Sequence, residues 1–149
     1  MHAGRDPEPL IRDATAADAA AVARLLAQLG YPAEPSAAAA RLERLAIVGD
    51  RVVVAEAGGE VVGLAHLQVV PALEYDRPVG RIAALVVDEA RRGTGIGRSL
   101  LEAVDAEARA RGCALIFLTT SEHRAASHSF YEQAGLEQTG RRYGRTLSE

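Results

Sequence analysis

Leu85-Val86-Val87-Asp88-Glu89-Ala90-Arg91-Arg92-Gly93-Thr94-Gly95-Ile96-Gly97-Arg98-Ser99-Leu100-Leu101 is the stretch whose reading decides the fold. It runs from an apolar strand through a turn with alternate glycines into an amphipathic helix. Such a junction aims several backbone N–H groups and a helix N-terminus at one point, which makes an anion site. Arg91, Arg92 and Arg98 flank it, so a phosphate or pyrophosphate is the expected guest.

Two familiar phosphate loops do not fit. A Walker-type loop needs Gly-Lys followed by Ser or Thr, and this chain holds no lysine. A dinucleotide fingerprint needs a third glycine where Arg98 stands and an N-terminal βαβ unit, whereas this turn falls about two-thirds along the chain. The remaining pattern is Arg/Gln-x-x-Gly-x-Gly/Ala at a helix start, matched by Arg92, Gly95 and Gly97. A ligand-free connector is the bland alternative, because glycines permit tight turns in any protein. The strand before it, the helix after it and the flanking arginines favour phosphate binding.

Working outward, residues 1–9 read as a loose, proline-bearing tail, and Leu10 to Ala14 as a short strand. Thr15 and Asp18 form a capping-box start for a helix carrying Val22, Leu25, Leu26 and Leu29, stopped by Gly30. A second helix begins after Ser36, with Leu42, Leu45 and Ile47 on or near its buried side. Arg51 to Glu56 and Val61 to Val70 make a hairpin about Gly58-Gly59. The loop from Ala72 to Pro78 leads to a strand from Val79 to Val87, and the helix after the glycine turn ends near Gly112. Cys113 to Thr120 reads as a buried strand, Glu122 to Ala134 as a helix and Leu136 to Leu147 as a final strand or hairpin. That order predicts a single mixed α/β domain of the α+β type.

The 149 residues suit one domain, and 48% apolar with 25% charged residues is an ordinary globular balance. A net charge of −3 gives no global attraction to nucleic acid or an anionic membrane, so neither is an expected partner. The single cysteine, Cys113, precludes an internal disulfide and reads as a small buried hydrophobe, consistent with a reducing cytoplasm. Neither a signal peptide nor a bilayer-spanning run is read from the sequence. His123 and His128 lack carboxylate or cysteine partners at ligand spacing, so no metal is expected.

Val87 to Gly97 resembles the acyl-CoA-binding motif of the GNAT superfamily of N-acetyltransferases, whose common form is Val-x-Pro-x-x-Arg-Gly-x-Gly-Ile-Gly. Glu89 stands where proline is frequent. Phe130-Tyr131-Glu132-Gln133-Ala134-Gly135-Leu136 is similar to the family's Phe-Tyr-Glu-x-x-Gly-Phe, with Arg124 and His128 fitting a variant of it. The resemblance covers residues 10–147. It implies a GNAT-like domain over 10–149, a mostly antiparallel mixed sheet with flanking helices, and central strands splayed around the CoA arm.

The implied reaction is direct transfer of an acetyl group from acetyl-CoA to a primary amine of a small molecule or peptide. In that reading Leu85, Val86, Val87, Arg92, Gly93, Thr94, Gly95, Ile96, Gly97 and Arg98 bind the cofactor. The Val87 N–H polarises the thioester carbonyl. Tyr131 is the candidate general acid for the departing thiolate, since a tyrosine near pKa ~10 suits a thiol near ~8.5 once modestly lowered. Phe130 is read as core, because adjacent helical residues point about 100° apart.

Many members carry a carboxylate base on the strand before the turn, where this chain has Ala83 and Ala84. The base is therefore unassigned; His66, Gln68, Glu56, Glu74 and His123 are its contenders. His66, Glu74 and Tyr75 are the expected acceptor-side contacts, against the bland readings of a sheet histidine and a solvated loop. The missing acids also leave open a non-catalytic acyl-CoA-binding regulatory module. Pairing of final strands could make a homodimer, as in many members of the family.

Overall fold

The computed structural model describes residues 8–119 and 125–147. Two compact units divide the chain, one running through Phe117 and the other from Leu118 onward. The first unit holds β1 (Leu10–Asp13), α1 (Ala19–Leu29), α2 (Pro35–Ile47), β2 (Arg51–Ala57), β3 (Glu60–Val70), β4 (Val79–Val87), α3 (Ile96–Ala110) and β5 (Ile116–Phe117). These strands form one five-stranded sheet in sequence order, antiparallel except for the parallel β4–β5 pair. The α+β class and mixed sheet are as expected from the sequence.

Local chemistry explains the element ends. The Asp18 carboxylate accepts the Thr15 backbone N–H at 2.8 Å, which starts the helical run at the expected capping box. Pro35 occupies the first turn of α2, where its missing N–H costs nothing. Both α1 and α2 end on a left-handed glycine, Gly30 at φ 105° and Gly49 at φ 86°. In each case the next residue folds back: the Tyr31 N–H donates to the Leu26 carbonyl and the Asp50 N–H to the Leu45 carbonyl. Those reversals carry Tyr31 and Asp50 toward the sheet face that the two helices cover.

Two apolar layers hold the sheet. On one face, Val22, Ala23 and Leu25 of α1 and Ala38 of α2 pack on Val54, Leu64 and Val86. On the other, Leu100 and Ile96 of α3 lie over β3 so closely that a Cβ on Gly63 would come within 3.0 Å of the Leu100 side chain. Full burial of a leucine such as Leu25 or Leu100 is worth about 1.5–3 kcal/mol, so these contacts set the layer order.

Several expectations are corrected. Ile47 is 78% exposed, because it lies about 200° around the helix from the half-buried Leu45. Cys113 is half-buried rather than buried. The strand expected over 113–120 contracts to Ile116–Phe117, since its ladder with β4 consists of Gly80↔Ile116 and Arg81↔Phe117. Leu136 to Leu147 is not a strand: it pairs with no described strand, and the polar run from Glu137 is exposed, leaving no apolar face to bury.

In the second unit, α4 spans Ala125–Gln133 and stops at Gly135, whose φ is 91°. The Leu136 N–H closes the end onto the Tyr131 carbonyl at 3.0 Å. The expected helix start at Glu122 lies outside the described residues, as do Thr120, His123, Arg124 and residues 1–7.

Candidate active site

The glycine turn is held in shape from both sides. Asp88 closes β4 by donating its N–H to the Val62 carbonyl at 2.8 Å, and its carboxylate accepts the Ala90 N–H at 3.1 Å. Arg24 of α1 pairs with the same carboxylate, and the Gln28 side-chain Oε1 accepts the Glu89 N–H at 2.9 Å. The Ala90 N–H, then Arg24 and Gln28, hold the Asp88 carboxyl below the usual carboxylate range, against its partial burial. The Thr94 hydroxyl donates to the Arg91 carbonyl at 2.6 Å.

Gly93 at φ 82° and Gly95 at φ 89° reverse the chain in a region that L side chains rarely adopt. A Cβ on Gly95 would meet nothing within 4 Å, so the turn's conformation, and not crowding within this chain, requires glycine there. The first backbone bond of α3 runs from the Ser99 N–H to the Gly95 carbonyl at 3.1 Å. The N–H groups of Ile96, Gly97 and Arg98 therefore end the helix without an intrahelical acceptor, beside the positive end of its dipole. Arg91 reaches Glu60 at 3.6 Å, Arg92 donates to the Val87 carbonyl at 3.3 Å, and Arg98 is exposed.

Strand β4 leads into this turn along an open edge. Its pairing with β5 ends at Arg81, so Ile82–Val87 has no strand partner on that side among the described residues. On the other side β3 and β4 match Gly63 with Val87 and Leu64 with Val86. Asp88 bonds back to Val62, so by the antiparallel alternation Val86 also faces β3 while the N–H and C=O of Leu85 and Val87 point to the open edge. Val87 is half-buried and Val86 is buried at 3% exposure.

A cleft of about 260 Å³ opens on the α1–α2 face of the same sheet. Its walls are apolar, built chiefly from Val22, Leu26, Leu42, Leu45 and Leu64, and its polar members are Tyr31, Arg41 and His66. Ala84 forms part of the floor directly opposite His66 in the β3–β4 register. That register slips between His66 and Leu67, giving β4 an extra residue at Ala83. The His66 Nε2 lies 2.7 Å from the Asp50 carboxylate, with the two side chains 15% and 11% exposed.

Of the residues expected at the site, the structure gathers Leu85, Val86, Val87 and Arg92 through Arg98 along one strand–turn–helix path, and sets His66 in the cleft. Glu74 and Tyr75 lie exposed in the β3–β4 loop and do not line the cleft. Glu56 is tied to Arg12 at 3.3 Å, and Gln68 accepts from Arg81 at 2.8 Å. Tyr131 belongs to α4 of the second unit, where its half-buried ring meets that of Phe130 edge-on at 5.3 Å. The 100° offset therefore does not separate the two rings. Asp50, Tyr31 and Arg41 were not singled out for function, although Gly49 ahead of Asp50 and Gly30 ahead of Tyr31 are the helix-stop signals that deliver two of them. Among the described residues no group of three or more His, Cys, Asp or Glu is arranged to hold a metal ion, and no helix is long and apolar enough to cross a membrane.

Residues 19–136 match the family model described as the Acetyltransferase (GNAT) family, and the chain belongs to that family. It is an acyltransferase enzyme whose relatives are N-acetyltransferases. It is 34% identical over 141 residues to aminoglycoside N(6′)-acetyltransferase type 1 of Stenotrophomonas maltophilia, covering 89% of each chain. It is 36% identical over 147 residues to the N-alpha-acetyltransferase RimI of Mycobacterium tuberculosis, covering 94% of this chain and 87% of that one. A match at 37% identity to aminoalkylphosphonate N-acetyltransferase of Salmonella typhimurium spans only 58% of that protein.

Among solved structures, a transcriptional regulator from Bacillus halodurans C-125 superposes with a TM-score of 0.85 at 28% identity, covering 93% of this chain and 99% of that one. An aminoglycoside N-acetyltransferase solved in complex with CoA has a TM-score of 0.83 at 22% identity, covering 99% and 100%, and shares the fold.

Proposed function

We propose that the protein transfers an acetyl group from acetyl-CoA to the primary amine of a small molecule with an apolar body, by direct attack within a ternary complex. The observation that carries this reading is the open β4 edge, where the Val87 N–H faces outward just ahead of the Arg92–Gly97 turn. The amides of that turn and the N-terminus of α3 suit the pyrophosphate, and Arg92 and Arg98 add positive charge beside it. Along β4 the extended pantetheine arm takes the place of a neighbouring strand. The Val87 N–H then donates to the thioester oxygen as it gains charge in the transition state.

The α1–α2 cleft receives the acceptor. Its floor at Ala84 is three residues, roughly 10 Å, from Val87 along the strand. Among the described residues the one carboxylate at the cleft is Asp50, already engaged by His66, so a polycation such as spermidine or kanamycin finds no free counter-charge there, whereas a hydrocarbon or aromatic body finds apolar walls. Tyr131, carried by the second family motif, protonates the leaving thiolate. Residues 10–149 serve as the acetyltransferase region, in a cytoplasmic setting.

Equilibrium binding of CoA, together with thiol release from acetyl-CoA, tests this. Expected are CoA binding and faster turnover of 2-phenylethylamine than of spermidine or kanamycin. Saturable CoA binding without thiol release from any of the three amines would overturn the reading.

A further inference from the structure

The amine must lose a proton before it attacks, and the strand that carries a base in many acetyltransferases offers alanine at 83 and 84. We propose that His66, oriented by Asp50, is the base that deprotonates the acceptor amine, entering from β3 instead of β4. This rests on the acetyltransferase reading above and adds the residue that the reading leaves unassigned.

Elimination within the cleft comes first. Among its lining residues Tyr31, Arg41 and His66 have side chains that exchange protons, and a phenol or a guanidinium does not accept one at neutral pH. His66 is thus the cleft's base. The surroundings then select its reactive nitrogen. A carboxylate only accepts, so the imidazole nitrogen 2.7 Å from Asp50 carries the hydrogen, and Nδ1 keeps its lone pair. Nδ1 has no hydrogen-bond partner among the described residues. When the ring takes up a proton, Asp50 faces the resulting charge, the arrangement by which a carboxylate orients and steadies a catalytic imidazole.

Position supports the same assignment. His66 stands opposite Ala84, so its ring occupies the space beside the β4 position that lacks an acid. The groups packed around it are few. Asp50 approaches from the turn after α2, Arg41 from α2 and Tyr31 from the turn after α1. Val52 pairs with His66 across β2, Ala84 faces it from β4, and Arg81 farther along β4 is engaged by Gln68. No carboxylate is among the described residues lining the cleft, Asp50 meets it through His66, and no lysine exists in the chain.

The step balances. One proton of the ammonium passes to His66 Nδ1, directly or through a water, and then to solvent. The freed nitrogen lone pair forms the C–N bond at the thioester carbon. The C–S bond breaks with its electron pair on sulfur, and the thiolate takes a proton as the nitrogen loses its second one. One amide, one CoA thiol and one released proton result.

The test compares wild type, His66→Gln and Asp50→Asn with two probe amines: 2-phenylethylamine, an ammonium at pH 7, and aniline, already neutral. For His66→Gln, turnover of 2-phenylethylamine at pH 7 should fall about 10²-fold, and the acid-side limb of its pH–rate profile should move up toward the titration of the amine itself, near ~10. Aniline turnover should fall far less, and CoA affinity should match wild type. Asp50→Asn should lower kcat for 2-phenylethylamine more than it changes KM, with the same sparing of aniline. An unchanged limb and rate in His66→Gln would overturn the proposal while leaving the acetyltransferase reading intact. Equal losses for both amines would make His66 structural and overturn it as well. Thiol release from neither amine by wild type would remove the apolar-amine reading and this inference together.

Discussion

Ala84 stands opposite His66 across the β3–β4 ladder, and both line the α1–α2 cleft. A methyl group on one strand therefore makes room for an imidazole on its neighbour, within a space of about 260 Å³.

In the proposed function that relationship makes Ala84 a gate for acceptor size. Ala84→Leu adds three carbons to the floor of the cleft without touching the glycine turn. The acceptor KM should rise at least tenfold while CoA affinity is unchanged, measured by steady-state kinetics and equilibrium binding on the same preparation. A wild-type KM would show that the acceptor does not use this cleft.

Gly95→Val tests the turn. The conformation at φ 89° costs an L residue about 1–2 kcal/mol, and a β-branched side chain also projects into the space proposed for the phosphate. CoA affinity should drop by tenfold or more, with a Tm several degrees lower. A folded variant with wild-type CoA affinity would remove the turn from the cofactor site.

Tyr131→Phe removes one hydroxyl and little volume. Turnover should fall about 10²-fold with CoA binding nearly unchanged, because a proton donor to the leaving thiolate matters only after the donor is bound. A wild-type rate would make Tyr131 structural.

Asp18 anchors the first strand to the first helix and should set acid sensitivity. Its carboxylate receives both terminal nitrogens of Arg12 at 2.9 Å and the Thr15 N–H at 2.8 Å, and its side chain is 7% exposed. The Arg12 hydrogen bonds, then the Thr15 N–H, hold its carboxyl below the usual range despite burial. A carboxyl depressed by folding contributes stability above its unfolded value and loses that contribution as pH falls through the folded one. Stability should therefore decline below about pH 4, in the range where ordinary aspartates titrate. Asp18→Asn should cost about 1–3 kcal/mol at neutral pH and flatten that decline, followed by urea unfolding across pH.

Much of the scaffold was legible along the chain. The Thr15–Asp18 cap, the Gly30 stop, the Gly58-Gly59 hairpin and the Arg92–Gly97 turn are each set by contacts within a few residues. Long-range features were less so. Leu136–Leu147 has strand-like texture but forms no strand, and Cys113–Thr120 yields only a two-residue ladder, Gly80↔Ile116 and Arg81↔Phe117. His66 was legible as one of several contenders for the base and as an acceptor-side contact, but nothing along the chain singled it out, since its partner Asp50 lies 16 positions away at the end of a helix.

The sequence by itself determined the turn proposed for the donor: a strand, glycines at the positive-φ positions and a helix N-terminus lie within one short stretch, and backbone geometry is a local property. Only the tertiary structure decided the cleft proposed for the acceptor. Tyr31, Arg41, Asp50, His66 and Ala84 come from two helix ends, a helix face and two strands. Packing of α1 and α2 on the sheet, and a one-residue bulge at Ala83, bring them to one cleft. No spacing along the chain encodes such a meeting, because it depends on which faces are buried against each other.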